Sequence, residues 1–200
     1  MKTNFQLELD REIKSLNGLR PRLLLHSCCG PCSSYVLEYL TKYFDVTLFW
    51  CNPNIFPEEE FNKRLLNQRR LLSEMETLTP VDIVVEPWNH EDYLGKISGL
   101  EGEPEGGARC TECFRIRLER AARLAAGARF DYFCTTLTVS PHKDAERLNA
   151  IGQELGEKYG VKFLPSDFKK REGYKRSIEL SARYDLYRQD YCGCEFSRGV

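Results

Sequence analysis

Short apolar runs alternate with longer stretches of helical periodicity along almost the whole chain, and this alternation limits the folds that the chain can adopt. The apolar runs predict strands at 22–27, 46–50, 81–85, 132–137 and 161–164. The helical patterns predict helices at 31–43, 58–78, 113–126, 144–159 and 173–187. This order is typical of βα units, in which helices cover both faces of a parallel sheet. We therefore predict a three-layer α/β/α, Rossmann-like domain with a mainly parallel sheet.

The chain is expected to form a single domain over residues 1–200. With 200 residues and 42% hydrophobic side chains, it can bury one sizeable core. Residues 1–20 are predicted to be an N-terminal helical extension, and residues 188–200 a cysteine-containing C-terminal tail. Residues 98–109 are predicted to be a mobile surface loop, because the segment SGLEGEPEGG has no apolar periodicity.

The charged residues nearly balance, with 29 Lys and Arg against 30 Asp and Glu. Any RNA contact would therefore have to come from a local basic patch rather than from the charge of the whole protein. No segment approaches the ~20 apolar residues that span a bilayer, and the start of the chain is too charged for a signal peptide. We therefore expect a cytoplasmic protein with no membrane partner.

Nine cysteines are the most unusual feature of the composition. In a chain without an export signal, clustered cysteines are typical of metal or redox chemistry rather than of a disulfide framework. Most of them fall in three motifs, which are Cys28-Cys29-Gly30-Pro31-Cys32, Cys110-Thr111-Glu112-Cys113 and Cys192-Gly193-Cys194.

The first two motifs predict a thiolate cage for zinc or for an iron–sulfur cluster. Cys28 and Cys29 follow the first strand, and ligands of such sheets bind beyond the carboxyl ends of the strands. Cys110 and Cys113 have Cys-x-x-Cys spacing at a helix N-terminus, where the helix dipole stabilises thiolates. These four cysteines are the best ligand set, with Cys32 in reserve. Thiolates alone do not distinguish zinc from an iron–sulfur cluster.

The remaining cysteines differ in their expected roles. A disulfide between Cys192 and Cys194 would close a very small ring, and strained disulfides are easily reduced. This pair is therefore a candidate electron relay or pair of metal ligands. Cys134 lies within an apolar strand and is expected to be a core residue. Cys51 follows the second strand and is more often structural, by the same tendency to be buried.

Three alternative functions match parts of the sequence. A zinc site formed by the same cysteines would stabilise an RNA-binding domain without catalysis. Cys29-Gly-Pro-Cys32 has the spacing of the thioredoxin dithiol, although the additional cysteine motifs do not belong to that context. A nucleotide site of the PP-loop class would need a glycine pair in the first turn, whereas Gly30 precedes a proline that has no N–H to donate.

Basic and aromatic residues form a candidate RNA surface. Lys169, Lys170 and Arg171 are expected to contact phosphates. Further basic residues follow them, which are Lys175, Arg176, Arg183 and Arg188. The candidates for stacking on the base or for hydrogen bonding to it are Trp50, Asn52, Tyr187 and Tyr191. The alternative is a solvated helix face, because acidic residues lie among these cations.

Six segments of the sequence resemble the QueH family of epoxyqueuosine reductases. They are LLLHSCCGPCSS, FWCNPNIFP, RCTECFRIRL, TTLTVSPHKD, LPSDFKKREGYKRS and LYRQDYCGCEFS. Together they extend over residues 22–197, and residues 1–19 lie outside the shared pattern. Gly30 departs from this pattern, because the family often has alanine at that position.

The resemblance implies an iron–sulfur oxidoreductase that reduces epoxyqueuosine at the wobble position of tRNA to queuosine, the last step in making that base. It implies a [4Fe-4S] cluster on Cys28, Cys29, Cys110 and Cys113 and a redox-active pair at Cys192 and Cys194. It also implies a further mononuclear iron, for which Cys192 and Cys194 are candidate ligands, and an electron donor that the sequence does not identify. The candidate proton donors, each next to a cysteine motif, are His26, Asp190 and Tyr191.

Overall fold

The computed structural model describes residues 3–197, and the predictions for residues 1–2 and 198–200 lie outside this range. The helices are α1 Phe5–Ser15, α2 Gly30–Leu40, α3 Glu58–Glu74, α4 His90–Lys96, α5 Ala108–Gly127, α6 Ala145–Tyr159 and α7 Gly173–Arg183. The strands are β1 Arg22–Ser27, β2 Asp45–Trp50, β3 Asp82–Val85, β4 Tyr132–Thr135 and β5 Lys162–Phe163. Two 3-10 helices, Thr136–Val139 and Glu195–Ser197, complete the described elements.

The five strands form one sheet in the order β3-β2-β1-β4-β5, and every neighbouring pair is parallel. The chain runs outward from β1 through β2 to β3, and then crosses to β4 on the other side of β1. In parallel sheets, ligands bind at this reversal of strand order, beyond the carboxyl ends of the strands. The predicted fold class is therefore confirmed, and the expected site lies beyond β1 and β4.

Apolar side chains of alternating direction divide the core into two layers. Leu23 and Leu25 of β1 pack in a cluster with residues from α1, α2 and α3, while Leu24 packs in a second cluster with residues from α5 and α6. Successive side chains of a strand point to opposite faces, so β1 contributes to both layers. Helix α7 packs against α2 on the first face. The sheet is thus covered on both sides.

The structure corrects several predicted boundaries. The fourth strand ends at Thr135, whose hydroxyl accepts a hydrogen bond from the Leu137 N–H at 3.2 Å and starts a 3-10 turn. Helix α5 begins at Ala108, so the last two residues of the predicted loop are helical, and α7 ends at Arg183 rather than at residue 187. Helix α4 is not predicted from the sequence, although Asn89 caps it through a hydrogen bond from Asp92 N–H at 3.1 Å.

No helix within residues 3–197 is long and apolar enough to cross a membrane.

Candidate functional site

The first cysteine motif lies at the turn between β1 and α2. Cys28 follows the strand, Cys29 is the N-cap of α2, and Pro31 fits the first helical turn because it has no N–H to leave unpaired. Hydrogen bonds from Cys28 and Cys32 lower the pKa of Cys29 well below its usual value. Contacts with Cys28 and Cys29 raise the pKa of Cys32. The motif therefore favours a shared thiolate at Cys29.

The second and third motifs line one small cavity of about 10 Å³. Cys110 and Cys113 reach it from the first turns of α5, and the C-terminal tail brings Cys192 and Cys194 to its other side. Burial raises the pKa of Cys113 to about 11 and also raises that of Cys194. Two sequence motifs that are far apart in the chain therefore meet at one place.

Two polar side chains contact the sulfurs of the tail in this cavity. The Nζ of Lys143 donates to the Sγ of Cys192 at 3.3 Å and pairs with Glu105 at 3.1 Å. Burial opposes the charge of Lys143, but Cys192 and Glu105 raise its pKa above the usual value. The hydroxyl of Tyr93 lies 3.5 Å from the Sγ of Cys194. Each tail thiol therefore has a neighbouring group that carries an exchangeable proton.

Arg117 connects the cysteine motifs from inside the protein. Its residue surface is 1% exposed, and its Nε donates to the carbonyl oxygen of Cys113 at 3.1 Å. Its Nη2 is buried and has no hydrogen-bond partner in the described part of the chain. Burial lowers the pKa of Arg117, but the nearby thiols of Cys113, Cys28 and Cys192 raise it more. Thiols from all three motifs thus lie in the field of one guanidinium group.

Arg64 of α3 holds the tail in place. Its Nη1 donates to the carbonyl oxygen of Cys192 at 3.2 Å, and its Nη2 donates to that of Tyr191 at 3.4 Å. Glu60, one turn earlier on α3, pairs with the Nε of Arg64 at 2.6 Å. Glu60 also accepts a hydrogen bond from the Tyr187 hydroxyl at 3.2 Å. This buried ion pair is therefore the main anchor of the segment before Cys194.

The loop after β2 forms a second anchor for the tail. The Phe56 N–H donates to the carbonyl oxygen of Gly193 at 2.9 Å. The buried ring of His90 lies 2.7 Å from both the carbonyl oxygen of Pro53 and a carboxylate oxygen of Glu195. Gly193 has a φ of +106°, a conformation that favours glycine. The tail is thus attached on both sides of Gly193.

Three further sequence candidates lie near the strand ends but do not line the cavity. His26 is buried, with its ring nitrogens 3.0 Å from the Thr135 hydroxyl and 3.1 Å from the Cys51 carbonyl oxygen. Burial and the charge of Arg117 lower the pKa of His26 to about 4, so its ring is neutral at pH 7. Cys51 is buried, and burial raises the pKa of Cys134 to about 12. Both thiols therefore occupy structural positions.

The predicted base-contacting residues are already engaged within the protein. Trp50 is 0% exposed and packs against Phe61, and the amide of Asn52 donates to the carbonyl oxygen of Ser27 at 2.8 Å. The Tyr191 hydroxyl donates to the carbonyl oxygen of Phe56 at 3.1 Å. A base could stack on Trp50 only after a rearrangement of the core. Base contacts by this set stay a prediction.

Most of the predicted phosphate-contacting residues have internal partners. Lys169 lies 2.7 Å from Asp167, and Arg171 pairs with Asp10 of α1. The hydroxyl of Ser181 accepts a hydrogen bond from Arg188 at 3.2 Å. Lys169 and Lys170 line a cleft of about 540 Å³, together with Asp144, Glu146 and Asp167. The cleft therefore presents both signs of charge, and the phosphate contacts also stay a prediction.

All nine cysteines are free thiols in the structure. Within residues 3–197, no three His, Cys, Asp or Glu side chains are arranged to hold a metal ion. Four residues of the site are not found from the sequence, which are Arg64, Tyr93, Arg117 and Lys143. Only Arg117 has a signal in the sequence, because it follows Cys113 by four residues and so lies on the same helix face.

Comparison with known proteins gives a consistent result. The family model described as epoxyqueuosine reductase QueH matches residues 23–199. A protein of that name from Streptococcus pyogenes serotype M1 is 40% identical over 98% of this chain and 80% of its own length. The protein of the same name from Staphylococcus epidermidis is 44% identical, over 90% of this chain and 78% of its own. The protein of the same name from Thermotoga maritima is 33% identical, over 88% of this chain and 89% of its own length.

Proposed function

The chain belongs to the epoxyqueuosine reductase QueH family, and from this we propose that it reduces the epoxide of epoxyqueuosine in tRNA to queuosine with the help of an iron–sulfur cluster. The observation that carries the proposal is the position of Arg117, which lines one cavity with Cys113 of the second motif and Cys192 of the third. Cys28 of the first motif is also near enough to raise the pKa of Arg117. Epoxide reduction needs electrons, which a redox centre such as a metal cluster or a pair of thiols supplies.

The donor set fits such a cluster. The proposed ligands are Cys28, Cys29, Cys110 and Cys113, with Cys32 in reserve, and soft thiolates from two separated segments are the usual cage. The N–H of Gly106 donates a hydrogen bond to the Sγ of Cys110 at 3.2 Å. A cluster distributes its ligands over several iron atoms, so its four thiols need not converge on one ion position. When bound, the cluster supplies electron transfer.

The tail cysteines are proposed to be the redox-active pair. Converting an epoxide to an alkene consumes two electrons and two protons and releases the oxygen as water. Oxidation of the Cys192 and Cys194 thiols to a disulfide releases two electrons and two protons, which balances one turnover. Lys143 and Tyr93 hold protons within hydrogen-bond reach of these two sulfurs. Cys192 and Cys194 are also the proposed ligands of any further iron.

The substrate must displace part of the protein to reach these cysteines. The cavity beside them measures about 10 Å³, whereas small-molecule pockets have volumes of ~300 to 1,000 Å³. Its lining includes Cys192 and Ser197 of the tail and Glu105 of the loop before α5. We therefore expect the tail, the loop or both to move when the modified base of tRNA enters.

A thioredoxin-like role for Cys29 and Cys32 is not favoured by the geometry. The attacking thiol of such a dithiol must be accessible to its protein substrate. Cys29 is 1% exposed. The lowered pKa of Cys29 therefore points to a ligand thiolate inside the protein rather than to a surface nucleophile.

Metal analysis and turnover of protein prepared without oxygen test the proposal. We expect iron and sulfide, a brown colour, and conversion of epoxyqueuosine in tRNA when a strong chemical reductant is supplied. Cys113→Ser should lose most of the iron, whereas Cys134→Ser, which changes a core thiol, should keep it. Colourless protein that contains zinc would support the zinc-stabilised RNA-binding domain instead. Equal iron loss from a folded Cys134→Ser variant would contradict the ligand assignment.

A further inference from the structure

Arg117 is a buried cation without a carboxylate partner among the described residues. Its Nε donates a hydrogen bond to the carbonyl oxygen of Cys113, and its Nη2 is buried with no hydrogen-bond partner within residues 3–197. The guanidinium also lies 5.7 Å from the centre of the Phe114 ring. By contrast, Arg64, which is equally buried, forms an ion pair with Glu60 at 2.6 Å. The absence of an anion beside Arg117 therefore needs a physical reason.

A buried charge is costly unless an anion and hydrogen bonds compensate it. Of the described residues that line the same cavity as Arg117, Glu105 carries the one carboxylate, and Lys143 already pairs with it. Among the described residues, the other lining side chains that can become anionic are the thiols of Cys110, Cys113, Cys192 and Cys194 and the phenol of Tyr93. Within the described part of the chain, thiolates or a group that thiolates hold are therefore the available source of the compensating charge.

We propose that Arg117 is the countercharge of the cysteine centre, by which we mean the proposed iron–sulfur cluster and its cysteine ligands. In this role Arg117 raises the affinity of the cysteines for iron and the reduction potential of the centre. This inference rests on the proposed function. Reduction adds negative charge to a centre that is already anionic, so a nearby buried cation stabilises the reduced form more than the oxidised form. Arg117 acts through the cysteines and is assigned no contact with the substrate, so it is a positioning residue and not a catalytic one.

The proposal has a consequence for the iron-free protein. Without an anionic centre, the charge of Arg117 is buried and uncompensated, so its removal should not destabilise the fold. In the iron-loaded protein, the same substitution should weaken iron binding and lower stability. A purely structural arginine would instead stabilise both forms equally. A countercharge and a purely structural arginine can therefore be distinguished, because only for a countercharge does the effect of the substitution on stability depend on bound iron.

The experiment compares Arg117→Met, Arg117→Lys and Arg120→Met in the full chain. Arg120 is the matched control, because it lies on the same helix but already has carboxylate partners, which are Glu86 at 2.5 Å and Asp92. We measure the unfolding temperature with and without iron, the affinity for iron, and the reduction potential by spectroscopic titration. Should Arg117→Met fail to fold, Arg117→Gln removes the charge while keeping N–H donors.

Iron-free Arg117→Met should unfold at or above the temperature of the wild type, whereas Arg120→Met should unfold at a lower temperature in both forms. Loaded Arg117→Met should bind iron about 10- to 100-fold more weakly, the usual effect of losing a partner of metal ligands, and should have a more negative reduction potential. Arg117→Lys should recover most of both properties, because it keeps the charge.

Two results would overturn the inference while the proposed function stands. One is an iron-free Arg117→Met that loses as much stability as Arg120→Met. The other is a loaded Arg117→Met with the iron affinity and the potential of the wild type. If the wild type itself binds no iron, the proposed function fails, and the countercharge role fails with it.

Discussion

Replacing Gly193 with alanine should loosen the tail that carries Cys192 and Cys194. Gly193 has a φ of +106°. A Cβ atom at this position would lie 3.0 Å from the Nη1 of Arg64 and 3.0 Å from the Cγ1 of Ile55. Arg64 has little freedom to move away, because Glu60 and the carbonyl oxygen of Cys192 hold it. The substitution therefore strains the backbone and crowds the anchor at the same time.

The expected magnitude follows from the backbone conformation. Holding an alanine at this positive φ costs about 1 to 3 kcal/mol of free energy. A detached tail avoids this cost, because the alanine can then adopt an ordinary negative φ. Taking about 2 kcal/mol, and a factor of ten for each ~1.4 kcal/mol, the detached population should rise by roughly 30-fold. The effect is local, since the strain acts on the docked tail and not on the sheet.

The rate at which Cys194 reacts with an alkylating reagent in the iron-free protein measures this population. Cys194 is 6% exposed when the tail is docked, so it reacts mainly after detachment. Alkylation at Cys194, read by mass spectrometry, should accelerate by roughly 30-fold in Gly193→Ala. Gly102→Ala is the matched control, because an added Cβ meets no atom within 4 Å there. An unchanged rate in Gly193→Ala would refute the view that glycine is needed to dock the tail.

Three further predictions concern other parts of the chain. Gly30→Ala should leave the denaturant midpoint close to that of the wild type, because the atom that its Cβ would meet at 2.7 Å is the Oδ1 of Asn67, the far end of a half-buried side chain that can turn away; a large fall in the midpoint would show that Asn67 is held in place. Hydrogen bonds from Arg176 hold the pKa of Glu38 below its ordinary value of 4.5, so its stabilisation is complete above that pH and is lost as the pH falls through the folded-state pKa. Glu38→Gln should therefore lose less stability than the wild type between neutral and strongly acidic pH, in denaturation measured across that range. Alanine at positions 169–171 should weaken tRNA binding and reduce the slope of log affinity against log salt by roughly 0.7 to 0.9 for each phosphate that the variant no longer neutralises; an unchanged slope would leave these residues a solvated face.

The sheet could be predicted from the sequence because its strands are strongly marked. The apolar run of β1 and the alternating sides of Leu23, Leu24 and Leu25 follow from local periodicity, which a single sequence displays directly. Helix α4 was missed because its seven residues give too short a pattern. The end of β4 was missed because the hydroxyl of Thr135 redirects the backbone through a local hydrogen bond.

The cysteines of the site could be predicted, whereas most of the side chains around them could not. Closely spaced cysteines are recognised as candidate metal ligands from their residue type alone. The place of Cys28 and Cys29 after β1 follows from the strand pattern. Arg64 offers no such signal, because the carbonyl oxygen that it binds belongs to Cys192, 128 residues later in the chain. An arginine on a long amphipathic helix is usually a solvated residue, and only the three-dimensional fold shows this one to be buried.

Arg117 is the exception, because a signal in the local sequence places it beside the cysteines. It follows Cys113 by four residues, so the helix that presents the thiols also presents the cation, one turn deeper in the core. Lys143 reaches the same cavity from the chain between β4 and α6. Two cations from different elements thus face thiols that burial alone would keep neutral, as the raised pKa of Cys113 shows. The pKa of Cys113 stays raised in spite of these cations, so the free thiol is neutral near pH 7, and the cations would offset part of the cost of a negative charge only once such a charge is bound there.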